Sequence, residues 1–289
     1  MTDNFRVQPF PEHATVDPLR RLKAVERPPA RKLPPMRNLA AIFRPDIPSQ
    51  CQHLDAKNMT EIFSPEFFNQ IPEHLLRIPE LVREKTGIIV NYRDIEDGGD
   101  SNARLEITAE GIDIAVRREL VVPSQLAHEF IHLRRYILDS TLKLCAAEGA
   151  TPHDDAFLQH VDNAVEHLFV VPEEIAACPG AEEWWIKEYE SLIPYTGEST
   201  LALTMHSLFL HIVLPAKTAL RAECERLLVE AGGQIALDAS KKLCRDVADA
   251  IPDKYQVLTL IMPFLPGQVR PPTSTVARYV VNFGVVSLA

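Results

Sequence analysis

His128, Glu129 and His132 stand in the order H-E-x-x-H. On a helix, side chains four positions apart share one face, so the two imidazoles can point at the same spot. Two imidazoles at that spacing can hold a metal ion, Zn2+ being the usual one, and a catalytic zinc takes three protein ligands and keeps one position open. Glu129, beside the first histidine, can accept a proton from water and act as general base. This constellation points to zinc-dependent hydrolysis of a peptide bond. The plainer reading is a helix whose two histidines and glutamate do no chemistry.

A third ligand must come from elsewhere. The metzincin extension needs Gly and His at positions held here by Arg135 and Leu138, which excludes that class. Residues 159–167 are dense in candidates. Around an apolar stripe of Phe157, Val161, Ala164, Val165 and Leu168, Asp162 and Glu166 fall on one flank, and His160, Asn163 and His167 on the other. Glu166 is taken as the third ligand, with Asp162 and His160 as alternatives, because a carboxylate or imidazole completes a zinc site. The other flank is left to orient ligands or stabilise an oxyanion. For His167 a half-buried helix histidine is an equal alternative. His206 and His211 read as core histidines on an apolar helix, and Trp184 and Trp185 as packing anchors.

The elements that must position these residues follow from periodicity and punctuation. Ser64 and Pro65 open a helix that is interrupted at Pro72 and Pro79 and stops at Gly87. A short strand is expected over 88–92 and a loop over 94–102, then two strands over 103–110 and 112–119 joined at Gly111. The H-E-x-x-H helix is expected to run to 147, with Gly149 as its stop. A helix over 154–171 closes at Pro172. Further helices are expected over 181–192, 200–214, 215–231 (stopping at Gly232 and Gly233), 238–251 and 253–264. The β-branched tail 276–288 reads as a strand or hairpin around Gly284. The fold class is α+β, helix-dominated, with a small sheet preceding the H-E-x-x-H helix.

Three regions emerge: a proline-rich extended or disordered arm over 1–50, a metallopeptidase core over 60–176, and a helical region over 177–289 with a terminal strand or hairpin, packed on the core. The net charge of −10 argues against a broad nucleic-acid or anionic-membrane surface, despite basic residues in the arm. Five widely spaced cysteines with no C-x-x-C fit buried thiols in a reducing cytoplasm. The first residues lack the apolar core of a secretory signal, and no apolar run is long enough to cross a bilayer, the closest, 208–214, containing His211 and ending at Pro215.

The strand leading into Leu126–His132 (LAHEFIH), then Asn163 and the run 168–175 (LFVVPEEI), resembles the ImmA/IrrE-type zinc metallopeptidases over roughly residues 86–176. In that family a second helix carries a glutamate ligand, and its slot falls here near Gln159, which has no carboxylate. The resemblance implies a zincin-like fold, a bacterial or phage cytoplasmic protein, and cleavage of a protein or peptide substrate, often a regulatory protein. A non-catalytic regulatory or binding protein on the same scaffold is the alternative.

Overall fold

The computed structural model describes residues 63–95, 101–107, 111–147, 150–197 and 199–266, with the backbone of 274–278 and 284–286. The expected arm over 1–50 lies outside the described residues. Ser64 caps a first short helix, α1 (Pro65–Phe68), by accepting the Phe67 N–H at 3.3 Å. Helices α2 (Glu73–Leu76) and α3 (Ile78–Thr86) follow, and Gly87 ends α3 in the left-handed region at φ 75°. Glycine reaches that conformation without a Cβ penalty, so the chain turns there into a sheet.

Strands β1 (Val90–Asp94), β2 (Ala103–Ile107) and β3 (Ile112–Val116) form this first sheet. Its order is β1-β3-β2, with β1 parallel and β2 antiparallel to β3, so β2 is an edge strand among the described residues. Arg93, Glu106 and Asp113 make a ladder of charges across the three strands. Pro123 then occupies the first turn of helix α4 (Pro123–Leu133), which carries the H-E-x-x-H residues.

Here the structure corrects the sequence reading. The helix does not run to 147: it widens into a π-helical turn over Arg134–Leu138 and stops. Ser140 takes a left-handed φ of 54°, and Leu142–Ala146 is a strand, β4. The reason is a partner far along the chain. β4 pairs antiparallel with β5 (Ser274–Arg278), which pairs with β6 (Gly284–Val286), making a second sheet with the expected hairpin. Local propensity cannot announce such a pairing, and tertiary context overrides it.

Helix α5 (Pro152–Ala177) begins at a Thr151 cap, where Oγ1 accepts the Asp154 N–H at 3.1 Å. It runs straight through Pro172, which therefore does not close it. An interior proline forfeits one helical hydrogen bond, at a cost of about 3 kcal/mol. Burial on both sides of this stretch offsets that loss, since Val170, Val171 and Glu174 are all buried. After α5 come α6 (Ala181–Leu192), α7 (Thr200–Ile212), α8 (Thr218–Ala250) and α9 (Lys254–Ile261). The expected stop at Gly232 and Gly233 is a kink within α8, where Gly233 has φ 71°. The result is a helix-dominated α+β architecture with a small three-stranded sheet ahead of the main helices.

Two apolar cores meet at α5. One gathers α2, α3, the first sheet and α4, and takes Val170 from α5. The other gathers α6 to α9 with Leu144 of β4, and takes Leu158, Val161, Val165, Leu168 and Val171 from α5. The seam between the cores therefore does not fall at 176/177; it runs along α5 itself.

A buried group of charges fastens that seam. Lys254, at the start of α9, lies 2.9 Å from Asp162 Oδ1 and 2.6 Å from Glu166 Oε2. Arg135 of the π-helical turn donates to Glu166, and its guanidinium lies over the Phe169 ring at 4.7 Å. Asp162 also accepts from the Tyr136 hydroxyl at 2.9 Å and the Leu144 N–H at 2.8 Å. Two carboxylates and two cations thus balance in a place where an unpaired charge is expensive. Breaking such a pair from one side costs about 3–5 kcal/mol. Lys254→Met is accordingly expected to lower the free energy of unfolding by about that amount in a denaturant titration, whereas Lys242→Ala at an exposed pair should change it by under about 1 kcal/mol.

Candidate metal centre

The H-E-x-x-H face of α4 points into the seam, against α5 and α6. His128 is 8% and His132 5% exposed, so both imidazoles have left bulk water. Their Nε2 atoms stand 3.0 Å apart. A third imidazole joins them: His167 Nε2 lies 3.2 Å from His128 Nε2. The donor atoms of the three histidines all lie within 4.8 Å of one another.

This spacing can be tested against a bound ion. Tetrahedral Zn–N bonds of about 2.0–2.1 Å place neighbouring nitrogens roughly 3.3–3.4 Å apart. The two separations of 3.0 and 3.2 Å fall just short of that range, so a slight outward movement of the rings admits an ion. Lone pairs facing one another at 3.0 Å would repel without a proton or a cation between them. The three side chains therefore fit a metal ion, and the group His128, His132 and His167 can hold one.

Glu166 and its two alternatives are elsewhere. Glu166, fully buried, is taken up by Arg135 and Lys254. Burial opposes its ionisation, but Lys254 and Arg135 hold its pKa below the ordinary carboxylate value. Asp162 belongs to the same ion pairs, and His160 is exposed and outside the histidine cluster. The physical reason is one helical step of about 100°. Glu166 faces β4, the π-helical turn and α9, while His167, its neighbour, faces α4. The flank assigned to orienting roles thus supplies the third imidazole.

Around the cluster, Glu174 and Tyr136 escaped the sequence reading, and Trp185 entered it only as a packing anchor. Glu174 Oε2 lies 2.8 Å from His128 Nδ1, and the same oxygen accepts the Trp185 Nε1–H at 2.9 Å. Glu174 sits seven residues after His167, on the same face of α5. Its signal was a heptad spacing hidden by placing the helix end at Pro172. With its Nδ1 proton given to Glu174, His128 keeps its Nε2 lone pair free, which is the tautomer a metal requires. Trp185 stands 5.7 Å from the His128 ring and 5.2 Å from the His167 ring, walling the cluster on the α6 side. It is the packing anchor expected of it and a lining residue besides. Tyr136 stacks on His132 at 5.9 Å. His132 Nδ1 is buried and has no hydrogen-bond partner among the described residues.

Protonation follows from these contacts. Burial works against a charge on His128, but its bond to Glu174 and the nearby Glu129 carboxylate raise its pKa on balance. Burial and the proximity of His128 push His132 and His167 well below the ordinary histidine value. Both are neutral donors at neutral pH, the form that binds a metal. Glu129, 8% exposed, has its pKa raised by burial, and its Oε2 accepts the Leu105 N–H at 2.8 Å.

Comparison with protein-family models, with curated proteins and with solved structures finds no match to this chain. No helix among the described residues is long and apolar enough to cross a membrane. Cys178, Cys224 and Cys244 are buried thiols, and Cys145 is partly exposed.

The geometry separates ligands from the neighbouring ion pairs. His167→Ala is expected to weaken zinc binding in a calorimetric titration by more than the 10–100-fold typical of losing an orienting partner, and Glu174→Gln to weaken it by about that 10–100-fold. Glu166→Gln should bind zinc as the parent does and unfold at lower denaturant. Loss of zinc from Glu166→Gln with retention in His167→Ala would reverse the assignment.

Proposed function

We propose that this protein is a zinc-dependent peptidase whose metal is held by His128, His132 and His167, with Glu129 as general base. The observation that carries the reading is the convergence of three Nε2 atoms, two on buried histidines and one on the half-buried His167, beside the Glu129 carboxylate. Zinc, when bound, supplies Lewis-acid polarisation of the scissile carbonyl and of a water molecule.

The chain's own residues do the rest. Glu174 holds the His128 ring in the metal-binding tautomer and increases its basicity as a donor. Trp185 excludes water from one side, which strengthens every charge interaction inside. Glu129 takes the proton of the attacking water and passes it to the leaving amine. Its raised pKa makes it a stronger base toward the water, and the proton it takes can still pass to the far more basic leaving amine. Edge strand β2 lies against α4 beside Glu129, and an extended peptide can pair with the part of its edge that the Glu129 carboxylate does not occupy.

A zincin-like fold and kinship with the ImmA/IrrE-type peptidases accord with the three-stranded sheet leading into the H-E-x-x-H helix, and with a protein or peptide substrate, such as a regulatory protein, in the cytoplasm. The ligand set differs from that family's, with an imidazole in place of the carboxylate. A second reading, a metal-holding regulatory protein without turnover, is favoured by the near-complete burial of His128, Glu129 and His132.

Glu129→Gln distinguishes the two. It keeps the side chain's shape and should keep the zinc, while hydrolysis of a fluorogenic peptide library by zinc-loaded protein should fall by about 10²–10⁴-fold, the usual contribution of a general base. Equal rates for parent and variant would remove Glu129 from the mechanism. No cleavage by the zinc-loaded parent would favour the regulatory reading.

A further inference from the structure

The Glu129 carboxylate has two oxygens, and its surroundings treat them differently. Oε2 accepts the main-chain N–H of Leu105 at 2.8 Å. Among the described residues, no hydrogen bond reaches Oε1. The donor is unusual in kind: it is a backbone amide from the middle of β2, the edge strand of the first sheet.

The register shows why that amide is available. The Arg117 N–H donates to the Asn102 carbonyl at 2.8 Å, so 102 and 117 form a hydrogen-bonded pair. Antiparallel ladders alternate bonded and non-bonded pairs. The pairs Arg104–Ala115 and Glu106–Asp113 are then bonded, and Leu105, opposite Ile114, is not. Its N–H points away from β3, off the open edge. Such an amide ordinarily meets water or another strand. Here it meets a nearly buried carboxylate on α4. The cross-strand pairing of Arg93 with Glu106 and Asp113 holds β2 in this register and so sets the height of the amide along the edge.

We propose that the Leu105 N–H is a positioning group for the general base: it fixes the plane of the Glu129 carboxylate through Oε2 and leaves Oε1 as the oxygen that takes the proton. A hydrogen bond to an ionised acceptor is short and directional, which suits it to hold a rotamer. The base is thereby referenced to the sheet on which an extended substrate would lie, as well as to the helix that carries the metal ligands. This inference rests on the peptidase reading for its catalytic half only.

The test removes the N–H and keeps the ladder. Leu105→Pro deletes the donor without touching the bonds made through Arg104 and Glu106, and proline is tolerated on edge strands when its nitrogen faces outward. In the zinc-loaded protein, Leu105→Pro is expected to lose about 10²-fold in kcat, the usual effect of misplacing a reacting group by about 1 Å, with KM nearly unchanged. The conservative Leu105→Val, which restores the N–H, should rescue kcat. In parallel, amide hydrogen exchange at Leu105 in the parent should be slow for an edge residue and should accelerate in Glu129→Ala. That measurement needs no turnover and stands even where proline disturbs the strand. A Leu105 amide that exchanges freely in the parent, or at the same rate in Glu129→Ala, overturns the proposal. So does a zinc-loaded Leu105→Pro with the parent's kcat. A parent that cleaves no peptide overturns the catalytic half of the proposal along with the function proposed above, while the exchange rate still decides the contact.

Discussion

Helix α5 is buried on two faces at once, and each face carries carboxylates that must find partners out of water. On one face Asp162 and Glu166 are met by Lys254 and Arg135. On the other, Glu174 is met by His128 and Trp185. Desolvation of an ionised group costs several kcal/mol unless it is paired and hydrogen-bonded, so these partnerships constrain where α4, α6 and α9 can dock. The histidine cluster is a product of that docking. His167 reaches His128 because Glu174, two turns further along the same face, is bonded to the far side of the His128 ring.

The two polar faces also divide labour. The four charges around Lys254 neutralise one another locally, and Glu166 is held ionised by its cations. Among the described residues, the histidine side has no fixed cation of its own. One of its imidazoles is biased toward protonation by Glu174 and Glu129, and the other two are biased strongly against it. Three converging nitrogens with that bias can share a single cation, and a metal ion can supply it. The π-helical turn serves both faces. It follows the second histidine directly, presents Arg135 to Glu166, and lays Tyr136 against His132. Lys85 secures its end by donating to the Ile137 carbonyl at 3.4 Å and to the Leu138 carbonyl at 2.5 Å. Widened helical turns of this kind recur beside functional sites.

Much of this was legible along the chain, for reasons that are local. The i, i+4 histidines needed only helical periodicity. Ser64 and Gly87 marked their helix ends by capping chemistry that acts within a turn. The strands around Gly111 and the hairpin around Gly284 announced themselves by composition. What was misread depends on contacts distant in sequence. Residues 142–146 form a strand because β5 supplies a partner from the far end of the chain. Pro172 lies within a helix because burial on both sides outweighs its lost hydrogen bond. That second misreading hid Glu174. Glu166 and His167 are adjacent on the chain, and nothing local decides which of them turns toward α4. The answer lies in Lys254, nearly ninety residues later, which claims the carboxylate.

The central claim is the composition of the metal's coordination shell, and X-ray absorption spectroscopy of the zinc-loaded protein reads it directly. The account predicts an imidazole-dominated spectrum, three nitrogens at about 2.0–2.1 Å with the multiple-scattering signature of histidine rings and one further light atom from solvent. A shell of two imidazoles with a carboxylate, abolished by Glu166→Gln and unaffected by His167→Ala, would contradict it.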